Sequence, residues 1–189
     1  MKYSIILFTF FFFFSCSSNS NQLTKINNDG TGGVSCKVDG EILRPKVSGL
    51  GLTSNYFKIG FNGDTTYFAV GLLNINATNE RFRSIKVQVY DVAFQNPITF
   101  EKLSLQGNVY QLGDYGDPSD YGQFKTFGKY EDNEKLFTTS EIINGEITIT
   151  HHDIKNFVIS GTFWFDAINE NGEIIEIREG RFDKILSSF

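Results

Sequence analysis

Residues 157–182, FVISGTFWFDAINENGEIIEIREGRF, decide the fold, because they contain two strand patterns joined by a short polar turn. Apolar side chains recur at every second position from Phe157 to Phe165. Such an alternation of period two is typical of a strand with one buried face. A second strand is predicted from about Ile174 to Phe182, so the stretch predicts an antiparallel β-hairpin.

The register of this hairpin follows from its loop length. A two-residue turn on the Asn-Gly pair would set Phe165 opposite Arg178 and place a charge on the apolar face, which is costly. A three-residue loop that ends at Gly172 pairs Phe165 with Ile177 instead, and it gives glycine the left-handed position that such a loop needs. We predict the second register. It leaves Trp164 opposite Arg178 on the other face, where the guanidinium group can stack on the indole ring.

The same alternation recurs along the chain and fixes the fold class. Turn signals such as Asp39-Gly40 separate the apolar segments. We find no helical periodicity after residue 15. Many short strands joined by turns predict an all-β fold, either an antiparallel β-sandwich or a partly closed barrel, built from hairpins.

The N-terminus predicts the compartment. Lys2 precedes an apolar run over residues 5–14, and Ser15 and Cys16 follow. This order is typical of a signal peptide, and the run is too short to span a membrane. Residues 13–16, FFSC, resemble a bacterial lipoprotein box, which implies cleavage after residue 15 and a lipid on Cys16. The alternative is a plain signal peptide that is cut nearby.

The rest of the chain divides into two parts. Residues 16–33 are polar and rich in Gly, Ser and Asn, which predicts a lipidated cysteine followed by a flexible tether. Residues 34–189 suit a single β-rich domain. The formal net charge is −5 and the basic residues are scattered, so no nucleic-acid partner is expected. Cys36 lies on an apolar strand face and is predicted to be a small core residue.

A polar loop around residues 110–130 holds most of the candidate binding residues. Asp114, Asp117 and Asp120 recur at intervals of three and present oxygen ligands of the kind that Ca²⁺ takes. Tyrosines beside acidic residues also suit a sugar-binding surface, although they can equally pack on their own sheet. The candidate ligand-binding residues are Tyr110, Tyr115, Tyr121, Tyr130, Trp164 and Arg178.

The sequence carries no catalytic or cofactor motif. It has no Gly-x-Ser-x-Gly elbow and no phosphate-binding loop. His151 and His152 are adjacent on a predicted strand, so they point to opposite faces and do not easily share one metal ion. We therefore expect a protein that is not an enzyme and has no cofactor.

Several segments resemble a family of small lipoproteins of unknown function from Bacteroidetes-type bacteria. They are ISGTFWFDA at residues 159–167, EGRFD at residues 179–183 and the opening strand SCKVDG at residues 35–40. The resemblance implies a β-rich, membrane-tethered domain, and lipoproteins similar to this often reach the outer membrane. Residues 17–21 contain no acid, which favours the periplasmic side over the cell surface.

These predictions together describe a lipid-anchored protein of the cell envelope. Its domain is expected to be a non-enzymatic binding or structural module, with a glycan or an envelope protein as partner. A lipocalin-like carrier of a small apolar ligand and a hydrolase of envelope glycans are the alternatives.

Overall fold

A computed structural model describes residues 22–46, 55–62, 65–76, 81–93, 103–116, 118–128 and 134–185. These residues form eleven strands and no helix, so the all-β prediction is confirmed. The strands are β1 (Gly33–Val38), β2 (Glu41–Leu43), β3 (Asn55–Asn62), β4 (Thr65–Asn76), β5 (Arg81–Tyr90), β6 (Val109–Leu112), β7 (Tyr121–Phe127), β8 (Lys135–Thr138), β9 (Gly145–Asp153), β10 (Val158–Ile168) and β11 (Ile174–Ile185).

The strands pair in the order β2-β1-β11-β10-β8-β7-β5-β4-β3, and all of their pairings are antiparallel. Strand β10 is a branch point. Its residues from Val158 to Phe165 pair with β9, which in turn pairs with β6, whereas Ile168 pairs with Thr138 of β8. One strand therefore joins two arms of the sheet.

The two arms pack face to face. Strand β1 contacts β3 and β4, and β11 contacts β3, although none of these strands are neighbours in the sheet. Strands β2 and β3 end the path, and no pairing between them occurs in the described ranges. A parallel bridge from Lys46 to Asn74 ties the segment after β2 to β4. The sheet is not closed into a barrel, and the arrangement is sandwich-like.

The β10–β11 hairpin has the predicted register. Phe165 pairs with Ile177, and the Asn169 amide donates to the Glu173 carbonyl across a three-residue loop at 3.1 Å. Gly172 has a φ of 79°, which is the left-handed conformation that the loop requires. The predicted register, which keeps Arg178 off the apolar face, is therefore confirmed.

One irregularity in β11 was not predicted. Phe163 pairs with Gly180, so β11 contains one residue more than β10 between this pair and Phe165–Ile177. The ladder with β1 shifts at the same place, and Glu179 has a φ of 51°. This is a β-bulge, which increases the local twist and re-aims side chains. It changes the spacing of the side chains around Arg178.

Aromatic rings fill the interior. Phe57, Phe68, Phe165 and Phe182 are each at most 1% exposed. A Cβ atom placed on Gly122 would lie 2.7 Å from the Phe165 ring, so this glycine leaves room for the ring. The Phe-rich face that the alternation predicts is thus the core of the domain.

Cys36 is part of the same core. It is 0% exposed and is a free thiol, and its burial raises its pKa to about 12. The structure therefore agrees with the prediction of a small core residue. A thiol held neutral in this way is a poor nucleophile.

The segment before β1 packs on the end of β11. The backbone amides of Asn27 and Gly30 donate to the carboxylate of Asp183 at 2.9 and 2.8 Å, and the Ser160 hydroxyl donates to it at 2.8 Å. Asp183 is 0% exposed. Burial alone would raise the pKa of Asp183, but these donors and the Gly32 amide outweigh burial and lower it.

The same segment is also tied to β1. The Thr24 amide donates to the Ser35 hydroxyl at 2.9 Å, and the two hydroxyl groups lie 2.8 Å apart. Residues 16–33 were predicted to form a tether; from Thr24 onward this part of the chain contacts the domain. Residues 1–21, including Cys16, lie outside the described residues. The described residues include no helix of the length and hydrophobicity that a membrane span needs.

Candidate functional site

Five strands present one continuous outer face. Trp164 pairs with Glu146 on β9, Glu146 pairs with Gln111 on β6, and Lys37 of β1 pairs with Arg178 of β11. Side chains at paired positions project to the same face of a sheet. A row of mostly polar side chains with one tryptophan therefore crosses β6, β9, β10, β11 and β1. We call it the Trp164 face.

Trp164 and Arg178 form the centre of this face. The Arg178 guanidinium carbon lies 5.6 Å from the centre of the indole ring, as the register predicts. The indole remains 40% exposed. It is an aromatic surface that solvent and ligands can reach.

Arg178 is held in place by its neighbours on β10. Its Nη1 lies 2.6 Å from Oδ1 of Asp166, and it donates to the Phe165 carbonyl at 3.3 Å. The close contact with the Asp166 carboxylate raises the pKa of Arg178. The guanidinium plane therefore has a fixed position beside the indole, which lowers the entropy lost when a ligand binds.

Hydrogen-bonding groups surround the aromatic centre. Oε2 of Glu146 accepts from Gln111 Nε2 at 3.1 Å, and its Oε1 accepts from the Thr148 hydroxyl at 3.2 Å. On the other side, Lys37 forms an ion pair with Glu179. Both donors and acceptors thus flank the exposed ring.

The predicted tyrosine cluster is split by the fold. Tyr121 is 4% exposed, and Tyr115 packs edge-on against it with ring centres 4.9 Å apart. Tyr110 packs edge-on against Phe68 at 5.7 Å and pairs with Ile147, on the side of the sheet opposite to the Trp164 face. Tyr110 and Tyr121 therefore lie apart from the Trp164 face.

The other two tyrosines have different positions. Tyr115 is 49% exposed and is the most exposed of the candidate tyrosines whose side chains are described. Tyr130 lies outside the described residues. The structure therefore keeps Trp164 and Arg178 together and separates them from Tyr110.

The predicted calcium ligands hold the backbone of the loops. Oδ1 of Asp114 accepts from the Glu141 amide at 2.9 Å, and Oδ1 of Asp120 accepts from the Tyr90 amide at 2.7 Å. Burial raises the pKa of Asp120. Asp117 lies outside the described residues, and the described part of the chain contains no group of three potential metal ligands.

One of the two histidines, His152, contacts the backbone of a loop. Nδ1 of His152 accepts a hydrogen bond from the Leu105 amide at 3.0 Å. Burial lowers the pKa of His152, which suits a neutral imidazole that acts as an acceptor. His152 thus serves to fix the loop before β6.

Sequence comparison assigns a family. Residues 64–186 match the family model of a domain of unknown function, DUF6252. The chain belongs to the DUF6252 family. No curated protein and no solved structure matches the chain. The match fits the expected membership of an uncharacterised family.

The DUF6252 match includes most of the Trp164 face. Trp164, Arg178 and Glu146 lie inside residues 64–186, whereas Lys37 and the segment that docks on Asp183 precede them. The family domain therefore supplies the aromatic centre, and residues before it complete the face.

Sequence reasoning missed several residues of this face. Asp166 could have been predicted from the sequence, because it lies two positions after Trp164 and so shares its side of the strand. Glu146 and Gln111 could not have been predicted, because their place beside Trp164 depends on pairing between strands that are distant in sequence.

Proposed function

We propose that this protein is a lipid-anchored protein of the outer membrane, on its periplasmic side, and that its domain is a non-enzymatic module that binds glycans on the Trp164 face. The exposed indole of Trp164, with Arg178 fixed beside it, is the observation that carries the binding proposal. The apolar run before Cys16 supports the anchor.

The chemistry of the Trp164 face suits a sugar ring. An indole offers a large, rigid apolar surface, on which the C–H face of a sugar can stack at a low cost in conformational entropy. The sugar hydroxyls then find acceptors on Glu146 and donors on Arg178 and Gln111. A few fixed polar groups around an aromatic surface are typical of binding sites.

The carboxylates of this face favour binding over hydrolysis. A glycosidase needs a carboxylic acid with a raised pKa next to a second carboxylate. Here the hydrogen bond from Lys37 lowers the pKa of Glu179, and Asp166 is engaged by Arg178. These groups act as acceptors that hold the face together.

The binding proposal can be tested through intrinsic fluorescence, because Trp164 is the only tryptophan of the chain. We would titrate the full chain with soluble N-acetylglucosamine and glucose oligomers. We expect a change in emission, protection from acrylamide quenching, and loss of binding by calorimetry in Trp164→Ala. The matched control is Tyr115→Ala, an exposed aromatic away from this face. Equal binding by Trp164→Ala, or no binding of any oligomer, would refute a glycan site here.

The anchor is tested by membrane fractionation. We expect the wild type and Cys36→Ala to remain with the membranes and Cys16→Ala to appear in the soluble fraction, because acyl chains provide the anchor. Cys36→Ala controls for the loss of a thiol that is not lipidated. Membrane retention of Cys16→Ala would contradict the anchor.

A further inference from the structure

A polar groove lies at the end of the sandwich where the segment before β1 meets β2, β3, β4 and β11. Its volume is about 570 Å³. Thr24 and Thr31 line it from the N-terminal segment, and Asn55 and Asn74 line it from β3 and β4. It is separate from the Trp164 face.

Three basic residues line the groove. They are Arg44, Lys46 and Lys184, and none of the described lining residues is acidic. The chain as a whole has a formal net charge of −5, so this concentration of positive charge runs against the overall composition. Within the described ranges, neither Lys46 nor Lys184 forms an ion pair with a carboxylate.

Backbone and side-chain hydrogen bonds hold the main chain that carries the basic residues. The Lys46 amide donates to the Leu73 carbonyl at 3.2 Å, and the Lys46 carbonyl accepts from the Ile75 amide at 2.6 Å. The side-chain amide of Asn74 donates to the Arg44 carbonyl at 2.6 Å. Lys184 is fixed by its pairing in β11. The backbone of each of the three basic residues is therefore held in place where it lines the groove.

Two carboxylates of the described residues lie near the groove, and both accept hydrogen bonds from neighbouring groups. Asp183 lies behind Gly32, and its oxygens accept from the amides of Asn27 and Gly30 and from a serine hydroxyl. Asp29 accepts from the Thr31 amide and hydroxyl at 2.9 and 2.6 Å. Neither of these carboxylates lines the groove, whereas all three basic residues do.

We propose that this groove binds the phosphate group of a phosphorylated ligand. Lysine and arginine side chains supply charge-assisted donors to phosphate oxygens, and the Asn55 and Asn74 amides add neutral donors. The volume is in the range of small-molecule sites, so the groove has room for a ligand larger than a single phosphate ion.

The source of the phosphate depends on the proposed anchor. Thr24 is eight residues after Cys16, so an extended connection spans at most about 28 Å. With a lipid on Cys16, this connection keeps the groove near the membrane surface, where lipid headgroups present phosphate. A soluble phosphorylated molecule offers the same chemistry.

Thermal unfolding of the full chain in a nonionic detergent tests the site itself. We expect inorganic phosphate to raise the melting temperature more than sodium chloride at equal ionic strength, by mass action. The Lys46→Gln/Lys184→Gln variant should lose at least tenfold in phosphate affinity, and Lys184→Gln alone should lose less. The control is Lys58→Gln/Lys155→Gln, which removes the same charge from exposed positions elsewhere. An equal shift in the groove and control variants, or no difference between phosphate and chloride, would overturn the proposal.

A second arm separates the two sources. Cys16→Ala protein is floated with phosphatidylglycerol vesicles, with and without the groove substitutions. Flotation that is lost in the groove variant assigns the phosphate to a headgroup. Phosphate binding without flotation assigns it to a soluble ligand. Because the phosphate titration does not use the anchor, failure of the anchor experiment and failure of this proposal remain distinguishable.

Discussion

Replacing Asp183 by asparagine tests how the segment before β1 is held. In the wild type the carboxylate accepts hydrogen bonds from the amides of Asn27, Gly30 and Gly32 and from the Ser160 hydroxyl, in a place that water does not reach. An asparagine has the same shape. One of its two positions is an NH2 group, however, which faces donors and cannot accept from them.

The size of the effect follows from the donors that are left without an acceptor. A hydrogen bond to a charged group contributes about 1.5–3 kcal/mol, and a buried donor left unpaired costs about 1–3 kcal/mol. Oδ1 serves Gly30 and Ser160 and can be retained by the amide oxygen, while the acceptor of Asn27 is lost. We expect Asp183→Asn to lower the free energy of unfolding by about 2–4 kcal/mol.

Urea unfolding of the full chain, followed by the fluorescence of Trp164, measures this change. Trypsin cleavage after Lys25 provides a second readout, because release of the segment frees the backbone that the bonds at Thr24 and Asn27 now hold. Asp91→Asn is the matched control, since Asp91 is exposed. If Asp183→Asn unfolds at the urea concentration of the wild type and Lys25 is cleaved no faster, the carboxylate does not hold the segment.

The same carboxylate predicts a dependence on pH. Its folded-state pKa is lowered, so the stability that it contributes is present in full above the unfolded pKa of about 3.9. That contribution is lost as the pH falls through the folded-state pKa. The wild type should therefore lose more stability than Asp183→Asn when the pH is lowered below about 4, as measured by urea unfolding across this range.

Three further substitutions or reactions test the packing. Gly122→Ala should destabilise the protein by about 1–3 kcal/mol in urea unfolding, because the new Cβ would lie 2.7 Å from the Phe165 ring. The control is Gly113→Ala, whose new Cβ meets no atom within 4 Å, and it should be nearly neutral. Gly172→Ala should cost about 1 kcal/mol by the same measurement, because the loop holds this residue at a φ of 79°; a neutral effect would contradict the left-handed requirement. Cys36 should remain unlabelled by a maleimide at pH 8 until the protein is unfolded, because burial raises its pKa to about 12. Peptide mass spectrometry measures the labelling, and labelling of the folded protein would contradict this prediction.

The local part of the fold was accessible from the sequence. The β10–β11 register follows from one avoided burial of Arg178 and one loop glycine, and both are features of neighbouring residues. The bulge at Glu179 was not accessible, because its φ of 51° is set jointly by pairing with β1 and β10. Features that depend on residues close together in the sequence could be predicted, whereas features that depend on pairing between distant strands could not.

The candidate site shows the same division. Trp164 and Arg178 lie on the two strands of one hairpin, and their predicted stacking contact is present. The groove residues Arg44, Lys46 and Lys184 come from distant parts of the chain, and only the folded sheet brings them together. The tyrosines were grouped by their nearness in sequence, but alternation along β6 turned Tyr110 inward toward Phe68.

The position of β11 between β1 and β10 has a consequence for how the family domain is expressed. A chain limited to residues 64–186 lacks β1, β2 and β3, so β11 and β4 each lose a pairing partner and expose a row of backbone N–H and C=O groups. Exposed strand edges of this kind promote association between chains. The residues matched by the family model are therefore fewer than the residues that fold together. Fragments that begin at residue 64 are expected to aggregate, whereas chains that begin before Thr24 are not.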